Sequence, residues 1–271
     1  MSATALTLPQ IRVRRGFGRV IGIVHDTWAV SVRNLIAYIR VPQLLVFSSI
    51  QPVIFVLMFR YVFGGAINIP GVPYVDYLMP GIFVQTVVFG SMAAAIGLAT
   101  DLKSGLLERF RSLPMARSAV LAGRTMADLV RNILVVALMT GVGFAVGFRI
   151  HNGVGGLFAG MLLVLLFGYT MAWVFATLGL AVGDPESAQA AAFPVLAPLV
   201  FASSAFVSVD TMPGWLQPFA HHQPVSVTAS AVRALVLGGP TATYLWQSLA
   251  WMAGILLIFA PLAVRLYRRR I

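Results

Sequence analysis

The chain has 271 residues, of which 59% are hydrophobic and only 10% are charged. An ordinary soluble domain carries about 25% charged residues, so the composition excludes a soluble globular protein and indicates an integral membrane protein. The net charge of +11 lies mostly at the ends of apolar runs, without the interleaved aromatic residues of a nucleic-acid-binding surface, and indicates contact with anionic membrane lipid. The absence of cysteine excludes disulfides and cysteine-ligated metals.

The first predicted element is a helix over 19–40. Apolar residues recur at helical spacing on one side of this helix, and the charged and polar residues fall mostly elsewhere. The apolar residues are Ile21, Val24, Trp28, Val32, Leu35 and Ile39. A helix with this pattern lies in the membrane interface.

Six apolar runs follow, each long enough to cross a hydrocarbon core of roughly 30 Å as a helix. They cover 43–62, 77–100, 129–148, 155–182, 189–208 and 244–264. The runs are continuous rather than alternating, which argues against a β-barrel. The predicted fold is therefore all-α and integral to the membrane, with six transmembrane helices in a single domain over 1–271.

The cations predict the orientation of the chain. Of the 19 lysines and arginines, six precede the first predicted span, six lie in 103–131 and four lie near the C-terminus. By the positive-inside rule both termini are cytoplasmic, as an even number of spans requires. We therefore expect a multi-pass protein of the cell (inner or plasma) membrane.

Ionisable residues are absent from the centres of the predicted spans. The eight acidic residues and the four histidines all fall at span ends or in connections. Proton-coupled pumps retain such groups inside the membrane, so a proton- or sodium-driven carrier is disfavoured, although sodium sites built from backbone carbonyls remain open.

Motifs of enzymes and ATP-binding proteins are also absent. No HExxH or GxSxG pattern occurs, and we predict neither catalytic residues nor a metal site. The segment "GLATDLKS" (97–104) approaches a phosphate-binding loop, but Leu102 replaces its second glycine and the segment follows a membrane span rather than a strand. If the chain performs transport work, we expect the energy to come from another subunit.

A charged segment interrupts the apolar chain at 101–119. Leu102, Leu106, Phe110 and Leu113 form an apolar stripe on a short predicted helix, and Pro114 ends the run. Two interpretations remain open from the residues alone: a loop whose charges only fix the topology, or a docking element for a soluble partner.

Two further patterns concern packing between spans. Arg124, Asp128 and Arg131 recur at helical spacing and predict a ladder of ion pairs. The segments "GFAVG" (143–147), "GLFAG" (156–160) and "GLAVG" (179–183) place small residues one turn apart, which predicts close packing of the third and fourth spans within the chain.

Two stretches resemble a known family. The stretch "MPGIFVQTVVFGSMAAAIGLATDLKSGLLERFRSLPMARSAVLAGR" (79–124) resembles the membrane subunit of type 2 ATP-binding-cassette exporters, in the group of daunorubicin and doxorubicin resistance permeases. The matching elements are Asp101, Gly105, Glu108-Arg109, Leu113-Pro114 and Gly123. A second stretch, "MPGWLQPFAHHQPVSVTASAVRALVLGGP" (212–240), matches the same group at Pro213, Trp215, Pro224 and Arg233.

The resemblance implies that 101–119 is a cytoplasmic coupling loop that docks on an ATPase. Its expected coupling residues are Lys103, Gly105, Leu107, Glu108, Arg109, Arg111, Leu113 and Pro114. It also implies two ATPase subunits, which bind ATP and magnesium, and a second permease copy, identical or related, in contact through the first and fifth spans. This chain itself is expected to bind no cofactor and no nucleic acid.

For the segment 209–243, the resemblance implies short re-entrant helices on the extracytoplasmic side. Its prolines and the "GGP" at 238–240 break it into pieces too short to cross a membrane. The expected functional residues there are Trp215, Pro224 and Arg233. The chain departs from the group at 229–231, where "ASA" replaces a frequent acidic residue, which leaves open whether Arg233 forms an ion pair.

The resemblance further implies a substrate path between two copies, lined by the first, second and fifth spans. The candidate residues are Ser48, Ser49, Gln51, Gln85, Ser203, Ser204 and Phe206. Sparse polar groups on apolar walls suit a hydrophobic or amphiphilic, drug-like compound. Export of lipid, glycolipid or polysaccharide is the alternative within this class, and a six-span membrane enzyme or scaffold is the alternative outside it.

Overall fold

A computed structural model describes residues 42–67, 69, 71–105 and 117–270, together with 27, 28, 30–32 and 36. The described part is helical and contains no strand. Most of the predicted interfacial helix (19–40) lies outside it, but the described positions between 27 and 36 are helical. Ser31 is buried and donates hydrogen bonds to the carbonyl oxygens of Thr27 (2.8 Å) and Gly123 (2.9 Å), so this segment packs against the helix that contains Gly123.

Eight α-helices follow one another in the described ranges from residue 42 onwards. They are α1 Pro42–Leu57, α2 Tyr74–Lys103, α3 Arg117–Ala145, α4 Gly153–Val182, α5 Pro185–Phe201, α6 Gln217–His222, α7 Pro224–Leu237 and α8 Thr241–Arg270. A π-helical turn, Met58–Phe63, continues α1, and a 3₁₀ turn, Val209–Thr211, precedes α6.

Four of these helices are long and apolar enough to cross a membrane: α2, α4, the Leu121–Ala145 part of α3, and Thr241–Arg269 of α8. They correspond to four of the six predicted spans. The other two predicted spans overlap shorter helices: 43–62 overlaps α1 with its π turn, and 189–208 overlaps the 17-residue α5, which ends at Phe201. α3 begins at Arg117 rather than near residue 129, and α2 continues to Lys103, so both helices extend into the predicted coupling loop.

α2 and α4 form the centre of the bundle. α5, α7 and α3 pack on α2, while α8 and α7 pack on α4. Residues on every side of α2 between Tyr74 and Val88 are buried. Gly179 of α4 lies against the backbone of Ala95 of α2, where a β-carbon would overlap the carbonyl group. The close approach of the two central helices therefore depends on glycine.

One glycine at least of each predicted pair packs within the chain, but against other partners than expected, and Gly147 meets nothing within 4 Å. Gly143 contacts Met79 of α2, and Gly156 lies on the Leu235 carbonyl of α7. Gly183 serves a different purpose: its φ of 81° lets the chain leave α4 in a left-handed conformation. Asp184 then caps the N-terminus of α5 by accepting a hydrogen bond from the Ser187 amide (3.1 Å).

Candidate functional site

An aromatic cluster joins α1 to the end of α5. The rings of Phe59 and Phe206 stack with centroids 4.4 Å apart and planes 6° from parallel. Phe55 and Phe201 lie 5.9 Å and 6.0 Å from Phe206. Phe206 is therefore buried at the junction of the first and fifth predicted spans. Sequence reasoning selected Phe206 but missed its three partners, although the spacing of Phe55 and Phe59 by one helical turn was a usable indication.

Of the two serines that follow α5, Ser204 binds the neighbouring α7. The Ser204 amide donates to Ser226 Oγ (3.0 Å), and Ser204 Oγ donates to the Ser226 carbonyl (3.2 Å). Ser203 Oγ donates to the Val200 carbonyl (2.6 Å). Both serines are buried, and in this conformation their hydroxyl protons are used inside the protein. Their predicted role in a substrate path stays a prediction.

The remaining candidates for the path lie in different environments. Ser49 is half-buried and lines an apolar groove of about 480 Å³ between α1 and α3, whereas Gln51 is exposed. Ser48 is on α1, and its side chain lies outside the described part. Gln85 is buried on α2, and its Oε1 has no hydrogen-bond partner among the described residues. A buried amide oxygen without a partner is costly, which makes Gln85 a candidate for contact with a ligand or water.

Arg233 of α7 ties three elements together. Its Nε donates to the Tyr77 carbonyl (3.0 Å), its Nη2 donates to the Ser204 carbonyl (2.9 Å), and its guanidinium lies 3.7 Å from the centre of the Tyr77 ring. No carboxylate of the described residues forms an ion pair with it. Two main-chain oxygens and an aromatic ring therefore stabilise the Arg233 cation, which answers the question left open by the sequence of whether Arg233 pairs with an acidic residue among those described.

Arg233 lines a cavity of about 610 Å³ at the end of the bundle where α2 and α8 begin and α7 ends. Asp210 and Tyr244 also face this cavity. Of the other predicted residues in this segment, Pro224 is buried at the start of α7, and Trp215 is 79% exposed. The structure thus brings Arg233 and Ser204 together and leaves Trp215 at the surface.

An ion pair connects the two helices at the opposite end of the bundle. Lys103, the last residue of α2, donates to Asp184 at 2.7 Å, and Asp184 caps α5. The lysine and the Ser187 amide lower the pKa of Asp184 to about 2. Gly105 turns the chain just after α2 with a φ of 67°. The other predicted coupling residues (Leu107, Glu108, Arg109, Arg111, Leu113 and Pro114) lie outside the described residues.

A second ion pair joins α3 to α2 at this end. Arg124 donates to Asp101 at 2.8 Å, so the predicted ladder along α3 is wrong for Arg124, whose partner is on the neighbouring helix. The guanidinium of Arg124 covers Gly97. Seven residues further along α3, Arg131 donates to the carbonyl of Gly90, which lies seven residues before Gly97 on α2. Sequence reasoning missed these cross-helix partners.

Comparison with known proteins identifies a family of membrane transporters that matches most of the chain. Residues 25–237 match the ABC-2 type transporter family. The chain is 37% identical to the daunorubicin resistance ABC transporter permease protein DrrB1 of Streptomyces coeruleorubidus, over 88% of this chain and 84% of that protein. It is 30% identical to the probable doxorubicin resistance ABC transporter permease protein DrrC of Mycobacterium tuberculosis, over 82% and 80% of the two chains. A putative transport permease, ycf38 of Pyropia yezoensis, is 26% identical over 84% and 76%.

Proposed function

Because the chain belongs to the ABC-2 type transporter family, it is the permease subunit of an ATP-binding-cassette exporter, and we propose that it exports hydrophobic or amphiphilic, drug-like compounds. The observation that supports a drug-like cargo is the 37% identity, over 88% of the chain, to a permease named for daunorubicin resistance. The ATPase is a separate subunit, so a membrane enzyme or scaffold is no longer an alternative. Export of lipid, glycolipid or polysaccharide is the competing cargo.

The proposed topology has six spans with both termini in the cytoplasm. Pro42–Phe63 is helical over 22 residues, with its π turn, and a helix of that length extends about 33 Å, enough for the hydrocarbon core. α7, with 14 residues, is too short to cross and packs against α2, α4 and α8. These lengths support re-entrant helices in 209–243 on the extracytoplasmic side.

The proposed substrate path lies between two permease copies, identical or related, and is bounded by α1, α2 and α5. Large apolar side chains are exposed along α1 and α5, and these surfaces would meet the second copy or the cargo: Ile50, Ile54, Leu57, Phe193, Val195 and Phe201. The aromatic cluster around Phe206 holds the two helices together, so a planar apolar compound would find aromatic faces at this junction. Gln85 would supply one polar contact.

We assign the coupling of ATP hydrolysis to the loop 101–119. Two ATPase subunits would dock on this loop. ATP and magnesium would be bound by those subunits and not by this chain. Lys103 at one end of the loop is paired with Asp184 at the start of α5, so a displacement of the loop would move the helix that borders the proposed path. The ion pair therefore supports a mechanical connection between ATPase and path.

Transport by the reconstituted complex tests the cargo. The permease and its ATPase, in proteoliposomes, should move daunorubicin in an ATP-dependent manner, and an ATPase variant that binds but does not hydrolyse ATP should abolish the movement. A fluorescent phospholipid in the same vesicles is the comparison. ATP-dependent movement of the lipid without movement of the drug would replace the proposed cargo with the alternative.

A further inference from the structure

We propose that the cavity beside Arg233 binds the zwitterionic head group of a membrane phospholipid, with the phosphate on Arg233 and the ammonium on Asp210. This head-group cavity is lined by Tyr77, Ser230, Arg233, Tyr244 and Asp210, among others, and has a volume of about 610 Å³. The proposal concerns a resident lipid and does not depend on what the exporter carries.

The depth of the cavity matches the head-group layer. α2 begins at Tyr74 and α8 at Thr241, and both are membrane-length helices. The cavity lies where they begin, so it is at the boundary of the hydrocarbon core. Trp246 is 73% exposed on the first turns of α8, and Trp215, in the segment that precedes α6, is 79% exposed. Exposed tryptophans of this kind mark the level of lipid head groups.

The inner wall of the cavity provides unused donors for a phosphate. Two of the five N–H groups of Arg233 bind main-chain carbonyls, and Nη1 has no hydrogen-bond acceptor among the described residues. Ser230 and Tyr244 also line the cavity, and their hydroxyl groups form no hydrogen bond with any other described residue. A guanidinium with two neighbouring hydroxyls is a typical arrangement for binding phosphate oxygens.

The rim provides the opposite charge. The side chain of Asp210 is 85% exposed, and its Oδ1 lies 3.9 Å from Nε2 of His221. Ser208 Oγ donates to the other carboxylate oxygen at 3.1 Å, which holds the group in place. A half-buried cation and an exposed carboxylate in one cavity complement a head group whose phosphate is near the membrane and whose amine extends into water.

Lipid binding to the delipidated complex of permease and ATPase tests this assignment, with dioleoyl phosphatidylethanolamine and dioleoyl phosphatidylglycerol as probes. Native mass spectrometry should show the ethanolamine lipid bound about tenfold more tightly than the glycerol lipid, which lacks the ammonium. Asp210→Asn should remove this preference. Ser230→Ala combined with Tyr244→Phe should weaken both lipids about tenfold, and these changes break no hydrogen bond of the described residues.

Arg149→Gln is the matched control, because Arg149 is an exposed cation at the same end of the bundle that does not line the cavity. It should bind both lipids as the parent protein does. Equal binding of the two lipids to the parent protein, or an Arg149→Gln effect as large as that of the double variant, would overturn the proposal. Since ATP is absent, a failed drug-transport assay has no bearing on this result.

Discussion

The guanidinium of Arg124 lies directly over Gly97, across the interface between α3 and α2. The absence of a side chain at Gly97 gives the arginine the space from which it donates to Asp101 at 2.8 Å. Both partners of this ion pair are largely buried, with 17% and 14% of their side-chain surfaces exposed. A glycine and an ion pair therefore fix the relative position of two helices that enter the proposed coupling loop.

Gly97→Ala should destabilise the protein by about 1–3 kcal/mol, because the new methyl group overlaps the guanidinium and displaces it from Asp101. Arg124→Ala removes the overlapping group, so adding Gly97→Ala to Arg124→Ala should cost little more. Thermal unfolding of the four proteins in detergent measures this non-additivity. Gly254→Ala on α8, where a β-carbon meets nothing within 4 Å, is the control and should not destabilise. Additive effects of Gly97 and Arg124 would contradict the described contact.

Through Asp184, the Lys103–Asp184 ion pair should give stability that depends on pH in the acid range. The folded-state pKa of Asp184 is lowered from 3.8 to about 2, so its contribution is complete above about pH 5 and is lost as the pH falls towards 2. Asp184→Asn keeps an acceptor for the Ser187 amide but lacks the charge. The difference in Tm between the parent protein and this variant should be constant from pH 5 to 7 and shrink below pH 4. A difference that grows on acidification would contradict this linkage.

The long apolar helices could be predicted from sequence because twenty or so apolar residues in a row admit few alternatives. The early start of α3 at Arg117 could not be predicted, since the charge of Arg124 is paired with Asp101 on another helix and the sequence does not show that these residues meet. The same holds for Lys103 and Asp184, which are 81 residues apart. The partners of Arg233 could not be predicted at all. Its acceptors are the main-chain carbonyls of Tyr77 and Ser204, and since every residue has a carbonyl, the residue type gives no indication of such a contact.

Phe206→Ala should loosen the junction of α1 and α5. The substitution removes a ring that stacks on Phe59 at 4.4 Å and leaves a cavity, at a cost of about 3 kcal/mol. We expect a lower Tm and impaired drug transport. Phe158→Ala changes a ring of α4 that is 71% exposed, so it should leave both quantities unchanged. Unimpaired transport by Phe206→Ala, despite the lower Tm, would separate the aromatic cluster from the substrate path.

Single cysteines test the topology, because the chain contains none. Thr211→Cys, at an exposed position before α6, should react with an impermeant maleimide in intact cells, as should Asn68→Cys. Ser187→Cys, exposed on the first turn of α5, should react only after the membrane is permeabilised. Labelling of Ser187→Cys in intact cells would rule out six spans with cytoplasmic termini.

The coupling loop is tested by two variants that we expect to insert normally but to disturb different contacts. Glu108→Arg combined with Arg109→Glu keeps the net charge, so a loop that only fixes topology tolerates it. A loop that docks on an ATPase does not, because breaking a buried charged contact typically costs about 2–5 kcal/mol of association. Leu107→Asp removes the expected apolar anchor of the same contact. We expect both variants to lose ATPase recruitment on co-purification or cargo-stimulated ATP hydrolysis. If both retain them at parental levels, the segment only fixes topology, and the coupling residues proposed for it are wrong.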